Sequence, residues 1–150
     1  TIGILFYLTI LLGFTHCNEI RDCQLADETD SAVFALFDLD TTSVAKTLEF
    51  SEITIKDLEI PILNFDTTLS TFALPIDNYD TTVTYYFNSE LGRDTLVLDY
   101  VSQYYIYYEE CDPAQRFFGL EIRSHTFDSV SIVNRELNND IIRNIEVFVD

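Results

Sequence analysis

Thr81-Thr-Val-Thr-Tyr-Tyr-Phe-Asn-Ser-Glu-Leu-Gly-Arg-Asp-Thr-Leu-Val-Leu-Asp-Tyr-Val101 is the stretch that decides the fold. Successive side chains of an extended chain point to opposite faces. Val83, Tyr85 and Phe87 therefore share one face, and Thr82, Thr84 and Tyr86 share the other. Asn88 to Asp94 has the composition of a turn. From Thr95 to Val101 the alternation resumes, with Leu96, Leu98 and Tyr100 on one side. Two β-branched and aromatic runs around a turn predict a β-hairpin.

The same reading extends in both directions. Thr occurs 16 times and Ala six times, and short β-branched runs are broken by Asn, Asp and Gly. Ala32 to Phe37 is apolar at every position, which predicts a buried strand. Ile53 and Ile55 alternate with Thr54 and Lys56. Leu69 to Ile76 predicts a strand that Pro75 confines to an edge or an end. Tyr104 to Tyr108, Phe117 to Arg123, Phe127 to Val133 and Ile145 to Val149 complete the set, and Asn134 to Asn144 reads as a loop or one helical turn. Eight or nine short strands imply an all-β protein, a single antiparallel β-sandwich of Greek-key or Ig-like style over residues 31–150. Its expected core is Val83, Tyr85, Phe87, Leu96, Leu98, Tyr100, Ile106, Leu120, Ile132 and Val147. The phrase Asp-Thr recurs at Asp40, Asp66, Asp80 and Asp94 and reads as punctuation between strands, with Asp capping a turn before Thr enters a strand.

The N-terminus is of another kind. Ile2 to Phe14 is apolar and uncharged, and the chain turns acidic immediately after Cys17. Residues 1–16 read as a signal peptide, and residues 17–30 as a lipid-attachment cysteine, Cys17, with an acidic lead-in. The first residue is Thr with no basic region before the apolar run, which implies a start further upstream. The remaining 133 residues suit one domain. The formal net charge of −18 lies entirely after Cys17. It disfavours nucleic acid and anionic headgroups as partners of the domain surface. Membrane contact is therefore expected through the N-terminal lipid, with the protein in the cell envelope, on the periplasmic face or the cell surface.

Three cysteines leave one over in an exported protein. If Cys17 carries lipid, Cys23 and Cys111 remain as a disulfide pair. The bond would close a loop of about 88 residues, worth roughly 4.5 kcal/mol on the loop-entropy model. The alternative is two unrelated buried thiols. No Cys-x-x-Cys occurs and the histidines are His16 and His125, so neither a zinc site nor any other cofactor is expected.

Several phrases together resemble a family of small lipoproteins of Bacteroidota, known as a domain of unknown function. They are Cys17 with Cys23, Leu69-Ser-Thr-Phe-Ala-Leu-Pro-Ile76, Asp94-Thr-Leu-Val-Leu-Asp-Tyr100, Glu110-Cys111, Phe127-Asp-Ser-Val-Ser-Ile-Val-Asn134 and Asn144-Ile-Glu-Val-Phe148. The resemblance covers most of the chain after Cys17. It implies a signal, a lipidated cysteine and a small β domain, and no catalytic residues. The chain departs from the usual lipobox at His16, where a small residue is normal, and at Phe14, where Leu is usual. A retained N-terminal anchor is the alternative to cleavage before Cys17.

Candidate chemistry is sparse. His125 lies near Ser124, Asp128 and Ser129, the residue types of a triad, without a nucleophile-elbow sequence around either serine. Glu109, Glu110 and Asp112 offer carboxylates, but adjacent acids on a strand face opposite ways. Eight of the nine tyrosines lie between Tyr79 and Tyr108, a stripe suited either to stacking on sugars or to cross-strand packing. Asp27 to Asp30, Asp38 to Asp40 and Asp77 to Asp80 offer oxygen ligands, none with EF-hand spacing. The sequence thus favours a non-enzymatic accessory or binding module acting on an unidentified envelope protein or glycan. The alternative is a glycan- or ester-directed envelope hydrolase using His125 and nearby carboxylates.

Overall fold

The computed structural model describes residues 30–58, 61–62, 66–106, 109, 111–138 and 141–150. Its described elements are nine strands: β1 (Ser31–Asp38), β2 (Leu48–Ile55), β3 (Thr67–Leu69), β4 (Thr71–Pro75), β5 (Thr82–Ser89), β6 (Gly92–Tyr105), β7 (Ala114–His125), β8 (Ser129–Ile132) and β9 (Ile145–Val149). They form a four-stranded sheet in the order β4-β1-β9-β8 and a five-stranded sheet in the order β3-β2-β5-β6-β7. No helix occurs among the described residues, as the short β-branched runs require.

The β5–β6 hairpin is the centre of the larger sheet. Val83, Tyr85, Phe87, Leu96, Leu98 and Tyr100 are buried, as the alternation predicts. The turn is tighter than Asn88–Asp94: pairing continues through Asn88↔Arg93 to Ser89↔Gly92, which leaves Glu90 and Leu91 as the loop. Opposite this face stands β1. Phe34 meets Phe72 at 5.4 Å between ring centroids, Tyr85 at 5.6 Å and Phe87 at 6.1 Å. Phe34 and Phe72 belong to the smaller sheet, and Tyr85 and Phe87 to the larger, so the two sheets pack face to face. β1 is buried on both faces. Its outer Phe37 is covered by Phe148 at 5.9 Å and by the Arg143 guanidinium at 5.3 Å.

Four departures from the expected architecture have physical causes. The strand expected from Leu69 to Ile76 divides at Ser70. β3 pairs with β2 in one sheet, β4 pairs with β1 in the other, and the Ser70 carbonyl accepts from Leu36 N at 2.8 Å. β4 is an edge strand, as Pro75 requires. The pairing is not antiparallel throughout, because β9 lies parallel to β1. Ile106 is not a core residue. It is 61% exposed, because β6 runs on past the opposing sheet into a two-stranded extension with β7. Ile132 is half-buried and packs against the core from the edge strand β8.

β7 holds its register over this length by bulging. Between the pairs Asp99↔Glu121 and Val101↔Phe118, two β7 residues stand opposite the single residue Tyr100. One of the two, Gly119, has φ +68, a conformation that glycine adopts without steric cost. Asn134 to Asn144 is a loop where described, and it is anchored by the buried Asn144. Asn144 Oδ1 accepts from Val33 N at 2.9 Å, and its Nδ2 donates to the Glu136 carbonyl at 2.7 Å.

Candidate functional site

Pro75 to Asp80 links β4 to β5 at one end of the sandwich, and side chains of the larger sheet hold its carbonyls. The Tyr85 hydroxyl donates to the Pro75 carbonyl at 2.8 Å, and the Tyr100 hydroxyl to that of Asp77 at 2.6 Å. Gln115 Nε2 donates to the Asn78 carbonyl at 2.8 Å. Burial pushes the Tyr85 phenol far above its usual range, and the neighbouring Tyr100 adds to this. Burial, then the Asp77 carboxylate, does the same at Tyr100. Both hydroxyls therefore stay protonated and serve as donors.

The loop held in this way walls a cleft of about 380 Å³. Ile55, Leu58, Pro75 and Ile76 supply its apolar surface, and Lys56, Asp57, Asp77 and Asn78 its polar groups. Tyr79 stands at the rim, almost fully exposed at 98%. Asp57 completes the turn after β2 with φ 67, in the left-handed region that Asp tolerates better than most residues. Asp77 Oδ1 accepts from Tyr79 N at 2.8 Å, which fixes the loop's bend. Asn78 Oδ1 is buried with no hydrogen-bond partner among the described residues. A buried acceptor without a donor costs free energy.

A second hollow, about 450 Å³, lies where the edge strands β7 and β8 meet. Ile122, Val130 and Ile132 line it, and an Arg135–Glu121 ion pair of 2.9 Å stands at its rim. It contains no comparable orphan group among the described residues.

The sequence-predicted candidates are dispersed. Cys17, Cys23 and Glu110 lie outside the described residues. Cys111 is half-buried in the β6–β7 connection and is not a free thiol. Glu109 and Asp112 are exposed in the same connection. His125 ends β7 in an exposed position, and its Nδ1 lies 3.0 Å from the Phe127 carbonyl. A carbonyl only accepts, so Nδ1 carries the proton in that bond. Among the described residues, no hydrogen bond links His125 to Ser124, Asp128 or Ser129.

The tyrosines do not form one stripe. Tyr85 and Tyr100 point into the core, and Tyr86 faces outward beneath the Arg93 guanidinium at 4.8 Å. Tyr79 and Tyr104 are exposed. The acidic phrases mostly bind their own backbone: Asp38 Oδ1 accepts from Thr41 N at 2.9 Å, and Asp80 Oδ1 from Thr81 N at 2.6 Å. The hydrogen bonds from Thr41 hold the Asp38 carboxyl below its usual value. Among the described residues no group of three or more His, Cys, Asp or Glu is placed to hold a metal ion. The described residues contain no helix, and so none long and apolar enough to cross a membrane.

Sequence reading missed the cleft as a unit. Asp77 to Asp80 stood out for its acids, whereas the distinctive group is the neutral Asn78 between them. Its backbone carbonyl is held by Gln115, 37 residues away in sequence.

The sequence profile of a family of unknown function (DUF6452) matches residues 52–149, from within β2 to the end of β9. No curated protein and no solved structure matches the chain.

Proposed function

The chain belongs to the DUF6452 family, and we propose that it is a lipid-anchored, non-enzymatic binding module of the cell envelope, with the cleft beside the β4–β5 loop as its binding site. One observation carries the binding role. Three side chains of the larger sheet fix the carbonyls of an exposed loop, and the loop walls a cleft of about 380 Å³ with apolar and acidic groups. A loop positioned by a rigid scaffold is the usual place for recognition.

The anchor rests on Cys17, between the apolar stretch and the acidic lead-in. Two or three acyl chains on that cysteine would hold the protein stably, since each buried CH₂ adds roughly 0.8 kcal/mol. The lead-in joins the domain beside the cleft, where Ile76 N donates to the Asp30 carbonyl at 2.7 Å. This placement supports a Cys23–Cys111 disulfide. The residues from Cys23 to Asp30 span at most about 25 Å when extended. The β6–β7 hairpin that carries Cys111 is already bonded to Asn78 through Gln115.

Metabolic labelling with a tagged fatty acid tests the anchor. Wild type should incorporate label and sediment with membranes, and Cys17→Ala should do neither. Label retained on Cys17→Ala, or never present on wild type, would remove the lipoprotein reading.

A further inference from the structure

We infer that the end of the sandwich where the N-terminus enters is a second membrane contact, a rim of exposed tyrosine and aliphatic side chains that rests on a zwitterionic lipid surface. The inference rests on the lipid-anchor reading above and goes beyond it, because it places part of the folded domain at the bilayer interface.

Backbone pairing defines this end. β1 starts here, with Ser31 opposite Pro75 of β4. Lys56 N, just past β2, donates to the Thr84 carbonyl, and Tyr100 N to that of Thr81. Gln115, near the start of β7, reaches Asn78. Asn144, just before β9, donates its N–H to the Val33 carbonyl and accepts from Val133 N.

The large exposed apolar side chains are divided unequally between the two ends. Among the described residues, Leu58, Tyr79, Tyr104, Ile106, Val133 and Ile142 stand at this end, and only Val44 and Leu91 at the other. Val101, the remaining one, lies on the flank of the β6–β7 extension. Tyr79 is 98% exposed and Ile142 86%. Scattered apolar residues need no explanation, but their concentration at one end marks an interaction surface.

The anchor says what covers that surface. Asp30 is bonded to Ile76 N, so the lead-in meets the domain here. Cys111, in the connection that follows Ile106, is not a free thiol. With lipid on Cys17 its partner is Cys23, six residues further on. Six extended residues span at most about 20 Å. The extension that carries Tyr104 and Ile106 is therefore tethered close to the acyl chains.

The side chains suit the place. A tyrosine ring sits at the apolar boundary while its hydroxyl reaches water and headgroups. Leu58, Ile106 and Ile142 add aliphatic surface. Charge selects the lipid: Asp57, Asp77 and Asp80 stand beside Leu58 and Tyr79 in sequence, within a net charge of −18. Anionic headgroups are repelled and zwitterionic ones are not. The cleft opens at this same end, and so at headgroup level.

The chain contains no tryptophan, so one introduced Trp reports its own surroundings. The test reconstitutes the lipidated full chain into phosphatidylcholine vesicles with brominated acyl chains. Tyr104→Trp and Ile142→Trp probe the anchor end and Leu91→Trp the far end, all at exposed positions that leave the core intact. Emission at the two anchor-end positions should be blue-shifted and fall about twofold on bromination, as for side chains seated at the headgroup–acyl boundary, and emission of Leu91→Trp should not change. Vesicles rich in phosphatidylglycerol should quench less at low ionic strength. Equal quenching at both ends, or none at either in protein that floats with the vesicles, would overturn the contact and leave the anchor standing. Protein that does not float would overturn both. Anchor-end emission that is blue-shifted in native membranes but unquenched in the vesicles would overturn the lipid assignment in favour of a protein partner.

Discussion

Asn144→Ala removes the one polar residue that is buried among the described residues, and it ties three parts of the fold together. Asn144 Oδ1 accepts the Val33 amide of β1, and Nδ2 donates to the Glu136 carbonyl in the loop before β9. Truncation leaves a donor and an acceptor unpaired in a site where Asn144 itself is 1% exposed. Each unsatisfied group costs about 1–3 kcal/mol, so the pair amounts to about 2–6 kcal/mol. That is a large share of the roughly 5–15 kcal/mol stability of an ordinary domain. At about 4 °C per kcal/mol for a domain of this size, Tm should fall by about 8–24 °C in differential scanning calorimetry. Asn144→Asp provides the control. It keeps the acceptor for Val33 and loses the donors, so it should be at least as damaging at neutral pH. It should recover partly in acid, where the protonated carboxyl donates to the Glu136 carbonyl. A loss below about 1 kcal/mol for Asn144→Ala would refute the reasoning, because water would then be replacing both bonds.

Other consequences follow from the core and the loops. Phe34→Ala empties the centre of the aromatic cluster and should cost about 3–5 kcal/mol in denaturant unfolding, with less than 1 kcal/mol indicating that the two sheets do not pack through it. Gly119→Ala should cost about 1–2 kcal/mol, because alanine at φ +68 is strained and its Cβ would lie 3.4 Å from Val101 Cγ2; an unchanged midpoint would argue against the bulge. The native state holds the Tyr85 proton above pH 10, where the unfolded chain releases it. Stability is therefore full below about pH 10 and falls above it, by about 1.4 kcal/mol per pH unit from this group. Tyr85→Phe should flatten that alkaline slope, and an equal slope in wild type and variant would contradict the burial of the hydroxyl. Cys23→Ser with Cys111→Ser should lower stability by roughly 4.5 kcal/mol under oxidising conditions and by nothing under reduction, with equal loss in both pointing to packing alone.

The hairpin of β5 and β6 was legible because strict alternation over both arms leaves one apolar face, and no long-range information is needed to see it. β1 was legible for the opposite reason, since a run without polar residues must be buried on both faces. The split at Ser70 was not, because Leu69 to Ile76 carries one unbroken β pattern and the change of sheet depends on which strands arrive beside it. Ile106 looked like core from its apolar side chain. Its exposure reflects how far the opposing sheet reaches, which local pattern does not encode. The parallel placement of β9 on β1 joins the two ends of the domain and has no local signature. The eight clustered tyrosines were equally ambiguous. Strand parity sends Tyr85 inward and Tyr86 outward, but only the fold brings the Tyr85 and Tyr100 hydroxyls to loop carbonyls. The cleft was hidden for the same reason, since the turn at Asp57 and the loop at Asn78 meet only through tertiary structure. Asn144, a single Asn in a polar segment, gave no periodic signal at all.

Intact-mass spectrometry of the protein extracted from its native membrane tests the central claim most directly. The account predicts a chain that begins at Cys17, carries two or three acyl chains on that residue, and lacks the two hydrogens of a Cys23–Cys111 dithiol. A chain that retains residues before Cys17, or begins there without acyl mass, would contradict it.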